Sequence, residues 1–399
     1  MGNYPFVSSP APLRFETITT EEAFAQLAGR WDTLVRAMAR PSPFMLHCWL
    51  LEWWRHYGEG CRLAVEVAYR GPDLVGALPL VTHGYRGLRV ATFLGARQSC
   101  LADALIAEGE GEELVEALAD RVLASEHDYA DLFGLSDRGR LAALRGRRQL
   151  RLFERIEAPV LDLDQGWDAA YRRKTNSRKR SHHNHRRRQL AELGKIEVTR
   201  ARTLEELGPA MEDAFRLHAR RWHGRPDGSG FVTETGKRFN RAVLPRLAEI
   251  DATRIVLLKL DRRPIAFCWY FLLERRAYFH RLAFDPTYAR CSPGLVNALD
   301  TLELAAKEGA VRAEFLGGAE RYKVELSDRF EPLSVGLGLP GSARGRCVVE
   351  ARTRWLDLRR RGKRSDVARK LYYGTASARR RVVRQRDVLR PSGVLRPGD

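Results

Sequence analysis

Residues 284–323 read FDPTYARCSPGLVNALDTLELAAKEGAVRAEFLGGAERYK. A strand pattern rich in aromatics (AYFHRLAF, 277–284) closes at Phe284, and a short loop leads to Ser292-Pro293-Gly294. Ser is a favoured N-cap and Pro a favoured first helical residue, so a helix opens here. Leu295, Val296, Leu299, Leu302 and Ala306 recur at helical spacing as far as Gly309 and give it one apolar face. A strand follows over 311–316 (VRAEFL), and Gly317-Gly318 ends it. Gly294 lets a ligand approach the backbone closely. The open amides and positive dipole end of the helix suit a phosphate.

Outward from this stretch the pattern extends and then repeats. Strands are expected over 254–260 and 264–273, joined by a turn at Asp261-Arg262-Arg263, so the order is β-β-β-α-β. The same order occurs in the first half: strands over 63–69, 74–82 and 88–94, a helix over 112–124 and a strand over 129–135, with a hairpin turn at Gly71-Pro72-Asp73. Helices over 21–38 and 47–57 precede it, and a helical stretch over 203–249 separates the halves. Two copies of one unit follow, in the mixed α/β (α+β) class, each a mostly antiparallel sheet flanked by helices.

Leu217-His218-Ala219-Arg220-Arg221-Trp222, Pro264-Ile265-Ala266, Ser292-Pro293-Gly294 and 315–323 (FLGGAERYK) follow each other in one order and spacing. Together with Ala77-Leu78-Pro79-Leu80 and the helix bearing Trp49, Trp53 and Trp54, they resemble the GNAT superfamily. The resemblance is to its cellulose-biosynthesis-associated acetyltransferase branch, a relative of the Fem aminoacyltransferases of peptidoglycan synthesis, which also fuse two GNAT-like units. It covers roughly 20–340 and implies direct acyl transfer from a coenzyme A or carrier-protein thioester to an amine. The Fem side implies an aminoacyl-tRNA donor as the alternative. The acceptor is a small-molecule or peptide amine. Of the family's Arg/Gln-x-x-Gly-x-Gly/Ala loop, residues 288–294 keep one Arg and one Gly.

The resemblance places the donor at Arg290, Ser292, Gly294 and Leu295. The loop 95–103 (GARQSCLAD) has no Gly-opened helix start, so the first unit is expected to wall the acceptor cleft instead. Glu320 can accept the amine proton or bind an amino group, or else pair with Arg321 or Lys323. Lys323 can hold a substrate carboxylate or phosphate. Tyr322 can protonate a leaving thiolate, or pack. His280, mid-strand, is a candidate base, and Asp285 ends that strand as a candidate substrate contact. His218 and Trp222 share a helix face at i, i+4 and, with Arg221, are candidates for the acceptor cleft.

Charge narrows the partners. The chain has 399 residues and a net charge of +19, yet segment 171–190 (YRRKTNSRKRSHHNHRRRQL) holds nine Lys/Arg without an acid, and 351–399 carries +12. The other 330 residues net −2. Such stripes attract RNA, anionic lipid or an acidic carrier protein. Candidates for tRNA contact are Arg172, Arg173, Lys174, Arg178, Lys179, Arg180, Arg186 and Arg187. Only nine of the 69 basic residues are Lys, a skew that a GC-rich bacterial genome also produces, so a solvated helix without a polyanion stands beside that reading. Expected domains are 1–165, a basic helical insert at 166–200, 201–345 and a basic tail at 346–399.

The remaining composition sets bounds. With 44% hydrophobic and 30% charged residues the chain is globular. Its longest apolar run, IAFCWYFLL at 265–273, has nine residues against the ~20 a bilayer requires, so no transmembrane segment is expected. Six cysteines without a CxxC spacing point away from zinc ribbons and toward a reducing cytoplasm. His182, His183 and His185 fan out around a helix with no acid or Cys beside them, so no metal is expected.

Overall fold

The computed structural model of the chain describes residues 11–96, 98–146, 150–222, 231–318 and 320–364. Two sheets organise residues up to 345. The first takes β1 (Leu13–Ile18), β2 (Cys61–Arg70), β3 (Asp73–Tyr85), β4 (Leu88–Phe93), β5 (Leu105–Ile106), β6 (Tyr129–Ser136) and β7 (Arg151–Ile156). The second takes β8 (Pro159–Asp162), β9 (Ile196–Ala201), β10 (Thr253–Leu260), β11 (Arg263–Leu273), β12 (Arg276–Phe284), β13 (Arg312–Glu314) and β14 (Arg329–Phe330). A last strand, β15 (Leu333–Gly338), returns to the first sheet. The orders are β1-β2-β3-β4-β6-β15-β7, with β5 on β3, and β14-β8-β13-β12-β11-β10-β9.

Among the described residues each sheet has one parallel pair, β4 with β6 and β12 with β13. Helix α4 (Glu112–Ala124) joins the first pair, and α9 (Pro293–Lys307) the second. The echo read from the sequence is therefore the repeated strand–helix–parallel strand. Hairpin turns supply the antiparallel pairs. Asp261 and Arg262 adopt φ of 49° and 67°, and Glu274 and Arg275 φ of 44° and 58°, the left-handed pairs that a two-residue hairpin needs.

The other helices are α1 (Glu21–Ala25), α2 (Ala28–Ala37), α3 (His47–Tyr57), α5 (Trp167–Lys174), α6 (Ser177–Ala191), α7 (Leu204–Arg221), α8 (Glu234–Glu249), α10 (Arg321–Leu326) and α11 (Ala343–Arg364). Alternation along β11 sorts the core. Phe267, Trp269 and Phe271 face the large cluster shared with α3, α7 and α8, while Cys268 and Tyr270 face the cluster under α9. Residues 346–399 form a second unit, helical through Arg364; the rest of the expected tail lies outside the described residues.

Several expectations change. The single helix expected over 21–38 is two, broken at Gln26-Leu27. The basic helical insert expected at 166–200 breaks at Thr175-Asn176, where the Thr175 hydroxyl bonds the Tyr171 carbonyl and the Asn176 side chain caps Lys179 N at 2.9 Å. Such side chains compete with the helical backbone. Nor is that segment a free insert: Leu190 is buried in a small core with Leu258, Ile265 and Val296, which seats α6 beside α9. The sheets cross the expected units: β8, within 1–165, pairs with β13, and β15, within 201–345, pairs with β6 and β7, while the compact units divide after Gly345, where the basic tail was expected to begin. Strands β1, β5, β7, β8, β9, β14 and β15 were not expected.

An ionic cluster ties 39–41 to the second sheet. Glu331 faces Arg312 at 2.5 Å, Arg329 at 3.0 Å and Arg40 at 3.8 Å. Burial pushes its carboxyl up, but the arginines outweigh burial and bring it from 4.5 down to about 2. A carboxyl lower in the folded state than in the unfolded chain stabilises fully above the unfolded value and loses that contribution as pH falls toward the folded one. Glu331→Gln is thus expected to flatten the loss of stability between about pH 4.5 and 2, read from urea midpoints across that range.

Candidate active site

The pairing of β12 with β13 covers only Arg276–Arg312, Ala277–Ala313 and Tyr278–Glu314. Beyond it β12 runs on to Phe284 with no strand partner on that side among the described residues. Backbone groups along that edge are available to a substrate. The strand also carries a bulge: Trp269 pairs with Arg281 and Tyr270 with Phe279, so His280 is an extra residue. The bulge changes the side-chain phase. Tyr278 faces the large core and Phe279 the core under α9, but His280 and Arg281 both return to the first face. His280 packs against Phe44, Trp49, Trp269 and Phe271, and Arg281 stacks 5.6 Å over Phe231. After the bulge Leu282 and Phe284 face the α9 side.

The start of α9 differs from its expected form. Ser292 sits at φ 53°, and its hydroxyl caps nothing; its carbonyl instead accepts Leu295 N at 3.0 Å and Val296 N at 3.2 Å. Gly294 is buried, and a Cβ there would meet Phe284 Cδ1 at 2.8 Å. The glycine is required by helix–strand packing, not by an approaching ligand. The Arg221 guanidinium lies 4.7 Å over the same Phe284 ring, which brings a cation to this end of α9. Arg290 is exposed, and its carbonyl accepts Arg186 Nη1 at 2.6 Å; Leu295 is half-buried.

Past β13, Leu316 takes φ 53° and Gly318 φ 118°, and the chain turns into α10. Lys323 is buried there, its Nζ 3.2 Å from the Gly317 carbonyl and 2.9 Å from Glu320 Oε2. Glu320 is largely exposed and makes this ion pair, the alternative already open in the sequence. Tyr322 packs edge-on to Phe315, and burial drives its phenol well above 10. Burial, then the Arg281 charge, drives His280 well below 6.5, so its ring is neutral at physiological pH.

The residues expected on α7 differ in exposure. His218 is buried between the Trp222 and Phe231 rings, and Trp222 is on the surface as the helix C-cap. Asp285 stands in the loop before α9, where its carboxylate caps Thr287 N at 3.0 Å and meets Arg220 at 2.6 Å. Burial raises its carboxyl, but those bonds outweigh burial and hold it below 3.8.

Sequence reasoning missed Arg281, which only the bulge re-aims, and Tyr57 of α3. Burial raises the Tyr57 phenol against the pull of Arg281, and raises the Cys100 thiol against the pull of Arg281 and Lys323. The loop carrying Cys100 is held by Trp53 Nε1 to Ala96 O at 3.2 Å and Trp49 Nε1 to Ser99 Oγ at 3.3 Å. In the first sheet the same loop fills the position that stays unpaired in the second. Ala102 N bonds Gly134 O of β6 at 3.1 Å, and Asp103 accepts three backbone amides.

Of the basic residues, Arg173 and Lys174 pair with Asp328, Lys179 with Glu325 and Arg187 with Asp300, while Arg180 bonds the Thr175 carbonyl. Arg172 and Arg178 are exposed, as is Arg188. His183 bonds the Tyr171 hydroxyl at 2.8 Å, and no group of three metal-ligating side chains occurs among the described residues. No described helix is long and apolar enough to cross a membrane.

Residues 177–324, from α6 into α10, match the family model described as an acetyltransferase (GNAT) domain. That stretch carries a GNAT-type acetyltransferase domain, and by class the protein is an N-acyltransferase. No curated protein matches the sequence. Among solved structures it is similar to FemX, with a TM-score of 0.55 and 12% identity over 81% of this chain and 96% of that one. That likeness is one of fold. A tandem GNAT protein of the clavulanic acid biosynthesis pathway aligns at TM-score 0.45 and 14% identity, covering 83% of this chain and 99% of the other. The C-terminal domain of a putative lysylphosphatidylglycerol synthetase from Agrobacterium fabrum aligns at 0.47 and 13%, covering 82% and 96%.

Proposed function

We propose that the protein transfers an acyl group from a coenzyme A thioester to an amine at the unpaired edge of β12. The observation that carries this is the three-residue limit of the β12–β13 ladder, beyond which the longer strand offers backbone groups to the thioester carbonyl. The amine nitrogen attacks that carbonyl, the C–N bond forms and the C–S bond breaks. The amine proton leaves to a base, and the departing thiolate takes up a proton. Glu320 fits the proton acceptor better than His280: it is a carboxylate open to solvent, whereas the imidazole is neutral and weakly basic. Arg221 and Arg290 flank the start of α9 and are the donor's phosphate contacts in this reading. The filled gap in the first sheet supports donor binding in the second alone.

Acetyl-CoA should therefore raise the melting temperature of the purified protein. Arg221→Ala should weaken acetyl-CoA binding about tenfold by isothermal titration, the loss of one charge-assisted contact. A second reading, an aminoacyl-tRNA donor, is favoured by the exposed Arg172, Arg178 and Arg188 on α5 and α6. A raised 260/280 absorbance ratio on purification, with no thermal response to acetyl-CoA, would move the assignment to it.

A further inference from the structure

Helix α11 has one face buried and an apolar face in solvent. Val349 and Thr353, four residues apart, are buried. On the opposite side Cys347, Ala351, Trp355 and Leu358 are all exposed. Their spacing of four, four and three residues keeps them within a sector of about 80°, since a helix turns about 100° per residue. Trp355 is 54% and Leu358 66% exposed. Scattered apolar side chains on a surface are ordinary, but four in line form a stripe. Cations surround it. Residues 343–364 hold nine Lys/Arg and two acids, a net +7. Arg344 and Arg346 precede the stripe, Arg352 and Arg354 lie to either side, and residues 359–364 (RRRGKR) close the helix. One of the acids, Glu350, is already paired with Arg354 at 2.9 Å.

This arrangement selects among partners. A second copy of the helix would set +7 against +7. RNA needs cations at the centre of the contact, and gains nothing from Ala351 and Leu358 standing there. A bilayer surface rich in anionic lipid uses both features. Its acyl boundary receives the apolar stripe, and its phosphate headgroups meet the flanking arginines, whose apolar stems reach outward along the same boundary. We propose that α11 docks the protein on an anionic lipid bilayer, lying in the plane of the interface with Trp355 and Leu358 inserted beneath the headgroups. Tryptophan favours that depth, with its ring in apolar surroundings and its N–H near water. The helix lies on the membrane and does not cross it, as its charge requires. The proposal concerns where the protein works and stands independently of the acyl-transfer reading.

Co-sedimentation of the full-length protein with vesicles tests it. Phosphatidylcholine vesicles are compared with vesicles carrying about 30 mol% phosphatidylglycerol, at about 0.1 M salt. The anionic vesicles should be bound about tenfold or more tightly. Trp355→Ser combined with Leu358→Ser alters only exposed positions, so the melting temperature should hold while affinity for the anionic vesicles falls about tenfold or more. Replacing Arg359, Arg360 and Arg361 together with serine should weaken the same binding to a similar extent, about tenfold or more, and does not touch the apolar stripe. Equal binding to the two compositions, binding to neither, or a folded Trp355→Ser/Leu358→Ser variant that binds as the parent does overturns the proposal. The competing occupants are read on the same samples. Tight binding of polyuridylate without vesicle binding makes α11 a nucleic-acid surface. A dimer in sedimentation velocity that the Trp355→Ser/Leu358→Ser variant dissolves, again without vesicle binding, makes the stripe a contact between copies. Either result overturns the lipid assignment.

Discussion

Replacing Glu314 with alanine is expected to lower the unfolding free energy by about 3–5 kcal/mol, the range for breaking a buried ion pair from one side. Glu314 is fully buried at the end of β13. Its carboxylate meets Arg40 at 2.7 Å, Arg312 at 2.8 Å and Arg276 at 3.6 Å. Without it Arg276 loses its carboxylate, and Arg40 and Arg312 are left to share Glu331 in a region with little water. The cost is unpaired buried charge more than lost attraction, so Glu314→Gln should destabilise less, retaining hydrogen-bond acceptance but not neutralisation. Urea unfolding checks both, as a fall in midpoint at constant slope. Function should suffer as well. The cluster clasps the 39–41 segment, where the Ala39 carbonyl accepts Arg276 at 3.0 Å and the Pro41 carbonyl accepts the Tyr278 hydroxyl. Tyr278 and Glu314 are also the last pair before β12 and β13 part.

The second large effect is expected at Lys323. Lys323→Ala should reduce kcat/KM about 100-fold, within the range for losing one preorganised group that meets developing charge. Its ammonium is held by one carbonyl and by a carboxylate that is mostly in solvent, so part of its charge remains available to a substrate oxygen. Lys323→Arg should recover part of the loss if charge matters and position matters less. Coenzyme A release measured with a thiol reagent gives the rates, and melting temperature separates catalytic loss from unfolding. A variant retaining nearly full kcat/KM would remove Lys323 from the transfer step.

The repeated layout was legible because hairpins and amphipathic helices leave local signals. α3 and α4 begin and end where the apolar spacing and the turn residues set them. β8, β14 and β15 were illegible for the opposite reason. They have four, two and six residues, and their partners lie far along the chain, so nothing local distinguishes them from loop. Around the site, Ser292-Pro293-Gly294 located the start of α9 correctly, but the reason for the glycine did not follow from composition; it depends on a Phe284 ring that only the bulge delivers. One unpaired residue in β12 decides which side chains turn toward the large core, and a period-two reading puts Arg281 on the wrong face. Its one sequence signature, a polar His-Arg pair inside an otherwise apolar strand, was read only for His280.

The exchange of β8 and β15 bears on how the molecule is made. A ribosome releases β6 and β7 nearly two hundred residues before β15, the strand that lies between them, so neither can complete its hydrogen bonding until residue 338 has emerged. Until then the nascent chain holds two exposed β-edges, the kind of surface that recruits other chains. Dissection into halves at the apparent repeat boundary would make that transient state permanent, and each fragment is expected to aggregate where the intact polypeptide does not.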